Sequence, residues 1–164
     1  MPSIEEYTRR PREERLARIA RTPEELASAV RSVDAAVLTR RPAPKSWAPT
    51  EVICHLRDNE EWFLERMRLI VVMDLPRFVA TNPDRWADER QYLTNDASVA
   101  LAAFTRRRRE TLEFLRPLAP DTWARAGVHT DSRGRRTIDE FLSVMAWHDD
   151  NHLDQLRRAL LGHP

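Results

Sequence analysis

Three histidines are the residues of this chain best suited to do chemistry together. His148 and His152 stand four positions apart in Ala146-Trp147-His148-Asp149-Asp150-Asn151-His152-Leu153, inside a segment with helical apolar spacing. Residues one turn apart on a helix have β-carbons about 5–6 Å apart, so two imidazoles can reach one ion at about 2.0–2.1 Å. His55, in Val52-Ile53-Cys54-His55-Leu56, sits among apolar residues on a second helical segment that must pack inward. Alone, His55 reads as a core histidine satisfied by a hydrogen bond, and the His148/His152 pair as two solvated side chains. Together, three inward imidazoles each cost about 1–3 kcal/mol to bury unpaired. One ion satisfies all three.

Three neutral imidazoles and an open position are the arrangement of a catalytic metal site, because structural zinc sites close with four protein ligands. The ligand set admits one divalent metal, zinc or nickel first and iron or manganese next, with copper also suited to imidazole. Such an ion lowers the pKa of a coordinated water toward about 7 or stabilises a thiolate, and either gives a nucleophile at neutral pH. Asp58, one turn after His55, and Asp149 and Asn151 beside the pair are candidates to accept the second imidazole N–H and orient the rings. Trp147 is placed to line the cavity, and His129 lies in the loop before the last helix. Cys54 adjoins His55, but helix neighbours point about 100° apart, so it reads as a small core residue. His163 is terminal.

Positioning these groups falls to helices. The chain has 164 residues, 41% hydrophobic and 32% charged, with only three glycines, and its apolar residues recur at three-to-four spacing. Residues 1–21 read as an N-terminal extension, with a short helix over 12–20. Residues 22–164 read as one domain. Thr22-Pro23-Glu24-Glu25 has the residues of a capping box with proline in the first turn, predicting helix one from Thr22 to about Thr39, with Leu26, Val30, Val33 and Val37 inward. A second helix is predicted from Thr50 to about Met73 and a third, capped by Asp96, to about Arg116. A fourth follows Thr137-Ile138-Asp139-Glu140, another capping box. Residues 74–95 form a crossover longer than usual in bundles, Asp121-Thr122-Trp123 a single turn, and residues 127–136 a small hairpin or exposed loop. Four helices of this length predict an all-α four-helix bundle.

Lys+Arg of 27 against Asp+Glu of 26 leaves a net charge of +1, so no global field recommends nucleic acid or an anionic membrane. Arg106-Arg107-Arg108-Arg109 does not change this, since four consecutive helical residues spread around the cylinder; an alternative reading has one or two of them reach the pocket to hold a substrate carboxylate. One cysteine excludes an internal disulfide, and the N-terminus lacks the build of a secretory signal, which points to a reducing cytoplasm. The longest apolar run, Leu69 to Met73, is far short of a membrane span. Arginine carries almost all the basic charge, Lys45 being the one lysine, as in a high-GC bacterial genome.

Two motifs carry a family resemblance. Trp47-Ala48-Pro49-Thr50-Glu51-Val52-Ile53-Cys54-His55-Leu56-Arg57-Asp58 resembles the entry to the second helix of the DinB/YfiT-like superfamily, and His148-Asp149-Asp150-Asn151-His152-Leu153-Asp154-Gln155-Leu156 resembles its last helix. The resemblance covers about residues 22–162. It implies an up-down-down-up bundle, commonly a homodimer, with one divalent metal held by His55, His148 and His152, and a histidine such as His129 near the site mouth. It also implies a small-molecule substrate and either transfer of a low-molecular-weight thiol or hydrolysis. The chain departs from the family where His-Asp-Arg-His-His is frequent, having Asp150 and Asn151 in place of the arginine and the middle histidine. The reading that follows is a metal-dependent thiol transferase or hydrolase, the alternative a non-catalytic binder of small ligands or stress-response protein.

Overall fold

The computed structural model of the protein describes residues 2–79, 82–131 and 133–164. In chain order its elements are α1 (Ile4–Arg9), α2 (Arg12–Val30), α3 (Ala35–Leu38), α4 (Pro49–Val72), β1 (Arg77–Phe78), α5 (Pro83–Glu89), α6 (Ala97–Leu115), β2 (Ala126–His129), β3 (Arg135–Thr137) and α7 (Ile138–Leu160). Single 3-10 turns lie at Tyr92–Thr94 and Thr122–Ala124. The four long helices α2, α4, α6 and α7 make the bundle, and none is long and apolar enough to cross a membrane among the described residues.

Three of these helices start where their first residues dictate. Glu51 accepts the Ala48 backbone N–H at 2.8 Å and so caps α4, with Pro49 in the first turn where its missing donor costs nothing. Asp96 accepts from Ser98 and Val99 N–H at 2.7 and 3.1 Å at the head of α6. At α7 the Thr137 hydroxyl accepts from Glu140 N–H at 3.1 Å while Glu140 returns the bond to Thr137 N–H at 2.7 Å.

The first bundle helix departs from expectation. It does not begin at Thr22 but at Arg12, and it runs through Pro23. Proline lacks the N–H that would bond Ile19 four residues earlier, and Arg108 of α6 supplies the replacement, donating to the Ile19 carbonyl at 2.7 Å. Thr22, freed from capping, donates its hydroxyl to Asp149 at 2.5 Å. A partner outside the helix thus removes most of the reason to break it at Pro23. The helix also ends early, at Val30, because Ser32 adopts the left-handed region at φ 61°; Val37 belongs to the separate turn α3.

Side-chain pairings give the topology. Arg15 and Thr22 of α2 meet Asp139 and Asp149 of α7 in the same order, so these helices are parallel. His55 and Phe63 of α4 meet His148 and Phe141 of α7 in opposite order, so α4 runs against them. Arg57 meets Asn95, just before α6, and Glu60 meets Arg108, so α6 runs with α4. The result is up-down-down-up. Residues 74–95 form the long crossover between the second and third bundle helices. That crossover holds a small strand and helix that its composition did not announce. β1 pairs in parallel with β2, and β2 pairs antiparallel with β3, giving a three-stranded sheet against one end of the bundle. Gly127 admits the close approach of β1, since a Cβ there would overlap the Phe78 ring.

Inside the bundle two apolar clusters are separated by a polar layer. Ile19, Phe63, Met67, Leu112 and Met145 belong to one cluster, and Leu26, Leu56, Phe104 and Leu153 to the other. Between them each bundle helix contributes one buried polar side chain: Thr22, Glu60, Arg108 and Asp149.

Candidate metal centre

His55, His148 and His152 converge although 93 residues separate the first from the second. Antiparallel packing of α4 on α7 brings them together, and one turn of α7 places the third ring beside the second. Ring centroids lie 5.0 Å apart for His55 and His148, 4.4 Å for His55 and His152, and 4.3 Å for His148 and His152. One ring nitrogen from each lies within 4.8 Å of the others, and the closest pair, Nε2 of His55 and of His148, is 3.0 Å apart. Two nitrogens sharing one tetrahedral ion would be roughly 3.3 Å apart for bonds of about 2.0–2.1 Å. The observed spacings bracket that value.

Protonation favours the same use. Burial drives the His55 imidazole down to about 2, helped by His152 and opposed by Asp58. His148 is held well below its ordinary value by burial and then by His152 and His55. His152 is lowered by burial against the opposing effect of Gln155 and Asp149. Three neutral rings whose nitrogens converge are what a cation requires. Gln155 Oε1 lies 2.7 Å from His152 Nδ1. Because that oxygen only accepts, Nδ1 carries the proton and Nε2 the lone pair. Asn59, one turn after His55, has its amide nitrogen 3.0 Å from His55 Nδ1 and donates to the His55 carbonyl at 3.0 Å. Trp47 covers the cluster, stacked on His152 at 6.3 Å and tilted on His55 at 4.8 Å.

The histidines form the floor of a cavity of about 480 Å³ walled by Trp47, Trp62, Phe63, Phe141 and Trp147. Of the residues singled out from the sequence, His129, Trp147 and Asn151 line this cavity with the three histidines. Asn151 turns its amide onto the Trp147 carbonyl at 2.7 Å rather than onto an imidazole. His129 is buried between Trp62 and Phe141, with centroids 5.7 and 5.8 Å away, and its imidazole is lowered to about 4 by burial and then by Arg133.

Two expectations are corrected. Asp58 does not orient His55: its carboxylate accepts from Arg57, Arg90 and the Tyr92 hydroxyl, each at 2.6 Å. Asp149 does not orient an imidazole either, because it points across the bundle to Arg108 and Thr22. Neighbouring helical positions diverge by about 100°, which sends Asp149 to the polar layer when His148 faces the cavity. The arginine run divides in the same way. Arg108 is buried in that layer, held charged against burial by Asp149 and Glu60, while Arg107 pairs with Glu61 at 2.9 Å. None of the four lines the cavity. Cys54 is fully buried, and burial raises its thiol to about 11. Asn59 and Gln155 were overlooked, although their spacings of four and three positions from a histidine put them on the same helix face. Arg133 and Arg136 reach the cavity from the hairpin, which no periodic signal marks.

An up-down-down-up bundle with three histidines on its second and fourth helices defines the class, and residues 18–156 match the DinB superfamily. The chain belongs to that superfamily. Among curated proteins it is similar to YfiT of Bacillus subtilis (strain 168), which carries a provisional name as a metal-dependent hydrolase, with 23% identity over 107 residues. That similarity spans 65% of this chain and 60% of YfiT. Among solved structures the fold matches that of YfiT at a TM-score of 0.84, with 20% identity, covering 97% of this chain and 88% of YfiT. It also matches the mycothiol-dependent maleylpyruvate isomerase at a TM-score of 0.73, with 15% identity, covering 95% of this chain and 63% of the isomerase.

Proposed function

We propose that the protein is a metal-dependent enzyme in which His55, His148 and His152 hold one divalent ion, zinc or nickel in first place and iron or manganese in second. The observation that carries this reading is the convergence of three neutral imidazoles, His55 buried and His148 and His152 half-buried, at the floor of a cavity of about 480 Å³. An ion held there supplies Lewis acidity, which makes a nucleophile of water or a small thiol at neutral pH. Gln155 fixes the His152 tautomer, Asn59 packs on His55, and Trp47, Phe63 and Trp147 keep the surroundings apolar, which strengthens charge interactions at the floor. The substrate is a small electrophile attacked by a low-molecular-weight thiol or by water. The names of the two relatives support one chemistry each, hydrolysis for YfiT and thiol dependence for the isomerase. The enzyme works as a homodimer in the cytoplasm.

A second reading has one specific observation in its favour. Asp58 and Asp149, two of the carboxylates near the histidines in sequence, are both consumed by ion pairs, and no Asp or Glu among the described residues lines the cavity to act as a general base. A non-catalytic small-ligand binder would need none. The deciding experiment assays the metal-loaded protein on activated esters and on electrophilic aromatics, with and without a thiol co-substrate. Turnover that needs the thiol identifies a transferase, and turnover without it a hydrolase. Tight binding with no turnover in either series would contradict the enzyme reading.

A further inference from the structure

The end of the cavity away from the histidines is built for a different task. Trp62 follows His55 by seven positions on α4, and Phe141 precedes His148 by seven on α7. At about 1.5 Å per residue both side chains therefore lie roughly 10 Å along the bundle from the triad. His129 packs between them, and Arg133 and Arg136 line the cavity there. The Arg133 guanidinium is 5.8 Å from the Trp62 ring, and that of Arg66 is 3.3 Å from it.

Positive charge at this end is only partly met by carboxylates in direct contact. Asp131 is held by Arg133 at 2.5 Å. Glu140, which favours the charged form of Arg136 from a distance, has its Oε2 engaged by the Thr137 amide and hydroxyl at 2.7 and 3.0 Å. Among the described residues Arg136 has no carboxylate partner. The crowding is felt by its neighbours, since Arg66 is brought down to about 10 by burial and then by Arg133, with Glu65 and Asp131 opposing. Three buried polar atoms at this end have no hydrogen-bond partner among the described residues: Trp62 Nε1, Arg66 Nε and His129 Nδ1. The first two can only donate. Unmet buried donors beside the Arg136 guanidinium, under flat aromatic walls, call for an anion with two acceptor oxygens on an apolar body.

We propose that this end of the cavity binds a carboxylate, so that the substrate is a small aromatic or otherwise apolar molecule carrying its carboxylate about 10 Å from the group that meets the histidines. The reactive end of this assignment rests on the metal-centre reading above; the carboxylate end does not. Arg136 is the principal contact and Arg133, shared with Asp131, the secondary one.

Calorimetric titration with biphenyl-4-carboxylate and its neutral isostere biphenyl-4-carboxamide tests the assignment, using both zinc-loaded and chelator-treated protein. The carboxylate is expected to bind at least about tenfold tighter than the carboxamide in both preparations. Arg136→Gln should remove most of that preference while leaving carboxamide affinity unchanged, and Arg136→Lys should retain part of it. Equal affinities in the parent, no carboxylate binding up to its solubility limit, or a preference undiminished in Arg133→Gln/Arg136→Gln would overturn the proposal. A preference that vanishes on chelation would also overturn it, because the carboxylate would then sit at the histidines. A preference that persists in protein unable to hold any metal would support the carboxylate site while the metal reading failed, so the two failures are distinguishable.

Discussion

Two polar clusters lie side by side in this bundle, and they share α4 and α7, yet they are finished in opposite ways. In the layer of Thr22, Glu60, Arg108 and Asp149, each charge meets an opposite charge inside the bundle, although Glu60 Oε1 and Arg108 Nε have no hydrogen-bond partner among the described residues. Arg108 gives 2.7 Å to Glu60, 3.0 and 2.5 Å to Asp149, and 2.7 Å to the carbonyl that Pro23 orphans. The histidine cluster, one residue away along α7, has no carboxylate bonded to a ring among the described residues, and one nitrogen of each of its three rings converges with the others. A cluster that pairs its charges with protein groups serves the fold. One that is left needing a cation at its floor serves a ligand. The difference rests on a helical offset of about 100° between His148 and Asp149.

The comparison is broken most forcefully at Arg108. Arg108→Ala leaves Glu60 and Asp149 buried without a cation, and removal of one partner from a buried ion pair costs about 3–5 kcal/mol. Urea unfolding of the metal-free protein should show that loss; a change below about 1 kcal/mol would mean that water or repacking already screens the layer. A smaller effect is expected at Gln155. Gln155→Leu removes the acceptor that fixes the His152 tautomer, and such supporting contacts are worth about 10–100-fold in metal affinity. Competition with a chromogenic zinc chelator measures this, and unaltered affinity would show that the ring is held by packing alone.

A third effect, read only on acidification, is the pH dependence of the metal-free fold. His55 and His129 have imidazoles lowered to about 2 and about 4 from an ordinary value of 6.5. Between those values and 6.5 the unfolded chain binds more protons than the folded one, so stability rises with pH across that window and is fully present above it. Thermal denaturation of chelator-treated protein should therefore give a melting temperature that is level above 6.5 and falls below it. The His129→Asn variant should fall less between about pH 6.5 and 4. A profile that rises on acidification would mean that these rings are protonated in the fold.

Much of this was legible in the chain because it is written in local spacing. The capping box at Thr137, the cap at Asp96, the four-residue interval of His148 and His152, and the apolar setting of His55 each specify geometry within one helix. What escaped depends on distant partners. Thr22-Pro23 has every local mark of a helix start, and only Arg108, 85 positions away by sequence number (108 − 23), makes continuation through the proline affordable. Asp58 and Asp149 were misassigned for the same reason. Proximity in sequence to a histidine does not say which way a carboxylate turns when arginines wait on another helix. The hairpin arginines were beyond sequence reasoning because loop residues carry no periodicity to aim them.

Elemental analysis of the purified, untagged protein beside its His148→Ala/His152→Ala variant tests the central claim most directly, with zinc, nickel, iron, manganese and copper counted per chain. About one equivalent in the parent and none in the variant is the predicted result. A parent that takes up no ion after incubation with each metal, or a variant that keeps a full equivalent, would contradict it.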